Sequence, residues 1–258
     1  MADLRNYQMR AGAGTRVDTG IDEGLRAYML KVYNLMALGL AITGLAALGT
    51  MMLATTNDPA VAAATLGNGK MLTSLGVALY GSPLKWVVML APLGMVFFLS
   101  ARVHAMSVSA AQTTFWIFAA LMGLSLSSIF LVFTSASIVQ TFFITAASFG
   151  ALSLFGYTTK RDLTGWGSFL IMGVFGLIIA MVVNIFLASP ALQFAISAIG
   201  VLVFAGLTAY DTQKIKEMYF EGDEVLVAGR KAIMGALTLY LDFINLFMFL
   251  LQFLGNRE

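Results

Sequence analysis

The chain of 258 residues has no cysteine and one histidine. The absence of cysteine excludes disulfides, thiolate metal sites and a cysteine nucleophile. The lone imidazole, His104, stands beside Arg102 with no carboxylate near it in sequence, so it builds no transition-metal site and reads as a solvated turn residue. No glycine-rich phosphate loop followed by lysine occurs, which leaves ATP-driven transport without support. Charge is scarce as well: 11% of residues are charged, against about 25% in soluble domains. The net charge of +2 provides no basic face, so nucleic acid is not an expected partner.

What the chain has in abundance is apolar sequence, 59% of it. No charge falls between Lys31 and Asp58, Lys85 and Arg102, His104 and Lys160, or Asp162 and Asp211. About 20 helical residues cross a hydrocarbon core of about 30 Å, so the two longest runs each hold two crossings. Thr134-Ser135-Ala136-Ser137 divides one run and Ser189-Pro190 the other, since polar residues and proline interrupt helices. The expected fold is an all-α integral membrane protein with seven spans, near 32–55, 85–104, 108–133, 138–158, 166–188, 191–213 and 232–255. Residues 1–31 read as a polar, mobile cytoplasmic tail with a short amphipathic lead-in helix near 21–31, and 32–258 as the membrane domain. The tail is not a signal peptide, because its apolar run begins late and is long enough to stay in the bilayer.

With the N-terminus inside, twelve Lys and Arg residues face the cytoplasm, and Lys70, Lys85 and Arg257 face out. The positive-inside rule therefore favours N-in, C-out. Small residues at helical spacing, Gly39, Thr43, Ala47 and Thr50 in the first span and Gly176, Ala180 and Asn184 in the fifth, suit close helix packing in lipid. Trp86 and Trp166 near span ends read as interfacial anchors, and the methionines and phenylalanines as core or lipid-facing filler.

Two carboxylates break the apolar pattern. Asp211 and Asp242 lie within the sixth and seventh spans, where a charge costs about 2.5–3.5 kcal/mol on insertion scales and so marks a functional site. In the seventh span, steps of three and four residues from Gly235 reach Thr238, Asp242, Asn245, Phe249 and Gln252. Such a stripe looks into protein or a water-filled cavity rather than lipid, so this helix belongs at the centre of the bundle. A comparable face in the sixth span carries Ser197, Gly200, Phe204, Thr208 and Asp211. Depth leaves a discrepancy: Asp211 is near the cytoplasmic end of its span, whereas Asp242 lies about 16 Å beyond Lys231. Arg102, at the cytoplasmic end of the second span, is the expected counter-ion to Asp211.

The runs AYDTQKIKEMY at 209–219 and ALTLYLDFINLFMFLLQFLG at 236–255 closely resemble the two C-terminal signatures of the Bax inhibitor-1 (transmembrane BAX inhibitor motif) family. The short loops look like those of a bacterial inner-membrane member rather than a eukaryotic cell-death regulator. This resemblance implies a seven-helix fold with the last helix central, and a pH-sensitive calcium leak governed by two aspartates, matched here by Asp211 and Asp242. It also implies a latch from an arginine on the second helix, for which Arg102 is the match.

Two carboxyl groups held together in low dielectric cannot both ionise cheaply, so they share a proton and titrate as a unit. Loss of that proton pushes the helices apart or admits a hard divalent cation. Calcium takes six to eight oxygens, and the two aspartates with Asn245, Thr208 and Thr238 supply only part of that set, which fits transient Ca²⁺ passage rather than storage. The leading expectation is thus a passive, pH-gated Ca²⁺ leak that is not an enzyme and needs no cofactor. A plain structural role, two helices stapled by hydrogen bonds, also fits the pair. An intramembrane aspartyl protease fits poorly, because Asp242 follows Leu241 rather than the glycine of a GxGD run, and Pro190-Ala191-Leu192 precedes both aspartates. A regulator that binds another membrane protein, such as a membrane protease, through the tail is a third reading. A retinal pump is excluded by the lack of lysine within the last span.

Overall fold

A computed structural model describes the backbone of residues 2–257 and the side chains of residues 23–257. The long helices are α1 (Ala2–Ala54), α3 (Leu84–Arg102), α4 (Val108–Leu126), α5 (Ser135–Thr158), α6 (Thr164–Leu187), α7 (Pro190–Glu217) and α8 (Val225–Leu254). A short α2 (Ser74–Gly76) runs into a π-helical turn, Val77–Gly81. Among the described residues seven helices are long and apolar enough to cross a membrane, which makes the chain an all-α multi-pass membrane protein. Residues 23–31 belong to the same helix as the first span, and the side chains of tail residues 1–22 lie outside the described residues.

Both expected breaks occur, each with a physical cause. The Thr134 hydroxyl accepts a hydrogen bond from the Ser137 N–H at 3.2 Å and so caps α5. At the other break Ala188 turns left-handed (φ 46°), and Ser189 caps α7 at 3.3 Å with Pro190 in the first turn, where its missing N–H costs nothing.

The last helix occupies the centre. Of its most apolar 18-residue stretch, 72% is buried, against 11% in α3 and in α6, which lie outermost against α4 and α7. Around α8 stand α1, α4, α5 and α7. Tyr240 is fully enclosed there, edge-on to Phe115 and Phe118, with its hydroxyl 2.6 Å from that of Thr43. Close approach of α1 and α4 explains the small residues of the first span. A Cβ on Gly123 would meet the Thr43 carbonyl oxygen at 2.4 Å, and one on Gly39 the Phe115 ring at 2.8 Å. In α6 the expected small stripe is displaced: Gly176 faces open space, and the helix meets α7 through Gly167 and Gly173 instead.

The segment after α1 carries structure that no sequence pattern announced. Three two-residue strands, β1 (Thr55–Thr56), β2 (Ala64–Thr65) and β3 (Met71–Leu72), form an antiparallel sheet in the order β1-β3-β2. It rests on the α4–α5 turn, where Asn68 donates to the Leu131 carbonyl at 3.0 Å and Lys70 to that of Phe130. The C-terminus is tied to the same end of the bundle, since the Thr134 N–H donates to the Asn256 carbonyl at 3.1 Å and the Asn256 N–H to Ser137 at 2.9 Å.

Candidate functional site

Helices α7 and α8 run antiparallel, and their register brings the two aspartates together. Gly235 faces Ile215, Phe249 stacks on Phe204, and Gln252 meets Gln193. In this register Asp211 falls opposite Asp242, with the two carboxyl groups close enough to act on one another. The depth discrepancy disappears because the first turns of α8 extend beyond the end of α7. Lys231 lies there, bound to Asp223 at 2.6 Å and to the Met218 carbonyl at 3.0 Å.

Asp242 is 5% exposed, and no hydrogen-bond donor among the described residues reaches its Oδ2 atom. A buried polar atom without a partner is costly, and here the group within reach is a second carboxyl, an acceptor unless protonated. Lys214, one turn further along α7, is exposed with its ammonium over the Tyr210 ring at 5.8 Å, and no ion pair joins it to Asp211 among the described residues. Arg102 is not brought to the pair. It is exposed at the end of α3, a helix packed mainly on α4, and no ion pair joins it to Asp211 among the described residues. The arginine latch expected from sequence is not formed among the described residues in this conformation, in which α3 lies at the periphery.

The expected supporting groups are close in sequence but turned back on their own helices. Thr208 donates to the Phe204 carbonyl at 2.8 Å, Thr238 to that of Met234 at 3.1 Å, and Asn245 to that of Leu241 at 2.8 Å. A different polar path was missed from sequence. The Tyr33 hydroxyl lies 2.6 Å from Ser153, and Ser153 lies 2.9 Å from Thr212, the residue after Asp211. This chain of hydroxyls begins in the wall of a cleft of about 630 Å³ between α1 and α5, floored by Phe243 beside Asp242. Thr212 stands in the YDTQ run already singled out, whereas a lone serine in an apolar helix carries no periodic signal. Gln213 of the same run clamps the α5–α6 turn, donating to the Arg161 carbonyl and accepting from the Leu163 N–H, both at 2.8 Å.

Seven spans, the last of them a polar-faced central helix, define a multi-pass membrane protein whose distinctive chemistry is a facing pair of carboxyls. The family described as "Inhibitor of apoptosis-promoting Bax1" matches residues 25–258, and the chain belongs to it, the Bax inhibitor-1 family. A protein of Rickettsia prowazekii (strain Madrid E) is 48% identical, with 92% of each chain aligned. One from Caulobacter vibrioides is 47% identical over the full length of both chains. The Escherichia coli (strain K12) protein called "Inner membrane protein YbhL" is 44% identical over 91% of this chain and 94% of its own.

Proposed function

We propose that the chain is a passive, pH-sensitive Ca²⁺ leak of a bacterial inner membrane, gated by Asp211 and Asp242. The observation that carries this reading is the facing of two carboxyls on the central hairpin, one of them buried with an oxygen that no donor among the described residues reaches. Two species relieve such a pair: a proton held between the carboxyls, or a small cation that replaces it. The proton keeps α7 and α8 together. A divalent cation binds only where the proton has left, so the same two groups serve as sensor and as transient ligand.

Passage rather than storage follows from the shortage of ligands. Among the described residues no cluster of three or more His, Asp or Glu could hold a metal, and Thr208, Thr238 and Asn245 engage their own helix backbones. Calcium takes six to eight oxygens, so a site this poor is left quickly. The name of the Escherichia coli relative supports the inner membrane as location, and the lysine and arginine distribution supports a cytoplasmic N-terminus.

Purified protein in liposomes loaded with a Ca²⁺ dye passes Ca²⁺ at a rate that changes with pH, and Asp211→Asn or Asp242→Asn flattens that dependence. A leak and pH profile untouched by both substitutions would sink the reading.

A further inference from the structure

The faces of α7 and α8 that carry the aspartates do not stay polar along their length. Seven residues from Asp211 stands Phe204, and seven from Asp242 stands Phe249, about 10 Å along each helix from the carboxyls. The two rings stack with centroids 5.6 Å apart and planes at 25°, and both are buried. Phe249 also covers the α7 backbone at Gly200, where an added Cβ would fall 2.4 Å from the ring. Only glycine lets the ring lie this close to the facing helix.

Beyond the rings the interface turns polar again. Gln193 donates to the Gln252 side-chain oxygen at 2.7 Å, Asn184 donates to that of Gln193 at 3.1 Å, and the Ser197 hydroxyl approaches Gln252 at 3.5 Å. Three amides and a hydroxyl from α6, α7 and α8 thus form an uncharged polar cluster at the end of the bundle where α6 turns into α7. Apolar constrictions between polar segments close pores by excluding water.

We propose that Phe204 and Phe249 are the barrier of the conduction path, separating the aspartate pair from an outer mouth built of Asn184, Gln193, Ser197 and Gln252. This assignment rests on the leak reading and adds its second element: the carboxyls sense and bind, and the rings shut. Separation of α7 from α8 at the aspartates unstacks the rings, since both pairs lie on the same two helix faces. The amides, bonded to one another in the closed form, then turn neutral oxygens toward a passing cation without holding it.

The native chain has no cysteine, so an introduced thiol is the only one present. Asn245→Cys lies between the aspartates and the rings, and Gln252→Cys lies beyond them. A membrane-impermeant thiol reagent is added to liposomes from the side that labels Gln252→Cys. Asn245→Cys resists labelling from that side, and combining it with Phe249→Ala speeds labelling on the order of tenfold, because a thiol reacts as the hydrated thiolate. Phe204→Ala, checked for a monodisperse fold, is the second variant and acts in the same direction. Equal labelling of Asn245→Cys with and without both rings overturns the barrier. Ring-dependent labelling in vesicles that never pass Ca²⁺ upholds a water barrier and overturns the leak reading instead.

Discussion

Replacing Gly156 with alanine tests the packing that sets the position of Asp211. A Cβ there would fall 2.2 Å from the carbonyl oxygen of Ala209, backbone against backbone, where no side chain can turn aside. Relief requires α5 and α7 to part by about 1 Å, since non-bonded atoms settle near 3.5 Å. That shift also stretches the Ser153–Thr212 hydrogen bond, now 2.9 Å. Overpacking of this kind costs about 1–3 kcal/mol, which lowers the Tm by about 2–4 °C per kcal/mol in a chain of this size. Gly150 is the control, six residues earlier on α5 with nothing within 4 Å of an added Cβ. Gly150→Ala gains helix propensity, about 1 kcal/mol in an exposed helix, and is neutral or stabilising. Thermal unfolding in detergent separates the two variants, and the pH profile of the leak shifts only in Gly156→Ala. Equal Tm values for the two variants would refute the close approach of α5 and α7.

Tyr240→Phe deletes the partner of the Thr43 hydroxyl but leaves that hydroxyl bound to the Gly39 and Ala119 carbonyls, so the loss is about 1 kcal/mol, readable as a small fall in Tm with the leak intact. The Asp162 carboxyl titrates below the usual aspartate range because hydrogen bonds from the Thr164 side chain and from the Thr164 N–H, the latter at 2.8 Å, favour its charged form. Its support for the start of α6 is complete at neutral pH and is lost as pH falls through that lowered midpoint; carboxyl carbon shifts followed by NMR check the direction, and Asp162→Asn removes the transition. Deletion of residues 1–20 leaves the Ca²⁺ leak unchanged, as vesicle flux will show, whereas loss of the leak would move the function toward the tail.

Most of the architecture was legible because charge in this chain falls almost wholly outside the crossings. Gaps between charged residues bound the spans, and Thr134 and Ser189-Pro190 mark the breaks because capping and a missing N–H act locally. The stripe on α8 was legible from periodicity, and its centrality followed from the cost of exposing Asp242 to lipid. Helix register was not, since it depends on which small residue meets which ring, as at Gly200 and Phe249 or Gly235 and Ile215. The same limit applies to Arg102: an arginine at a span end carries the same signal on a peripheral helix as on a central one. Ser153 and Tyr33 were invisible for a related reason, because their link to Thr212 joins α1, α5 and α7, which are far apart in sequence. The small sheet at 55–72 escaped because two-residue strands hold no alternation to read.

The claim on which the rest depends is that Asp211 and Asp242 share one proton and titrate as one unit. Infrared difference spectra across a pH titration, recorded for the native chain and for each single Asn variant, measure this directly. The account predicts a single protonated-carboxyl band that vanishes over one transition and is altered by either substitution. Two bands that titrate independently, each untouched by replacement of the other aspartate, would contradict it.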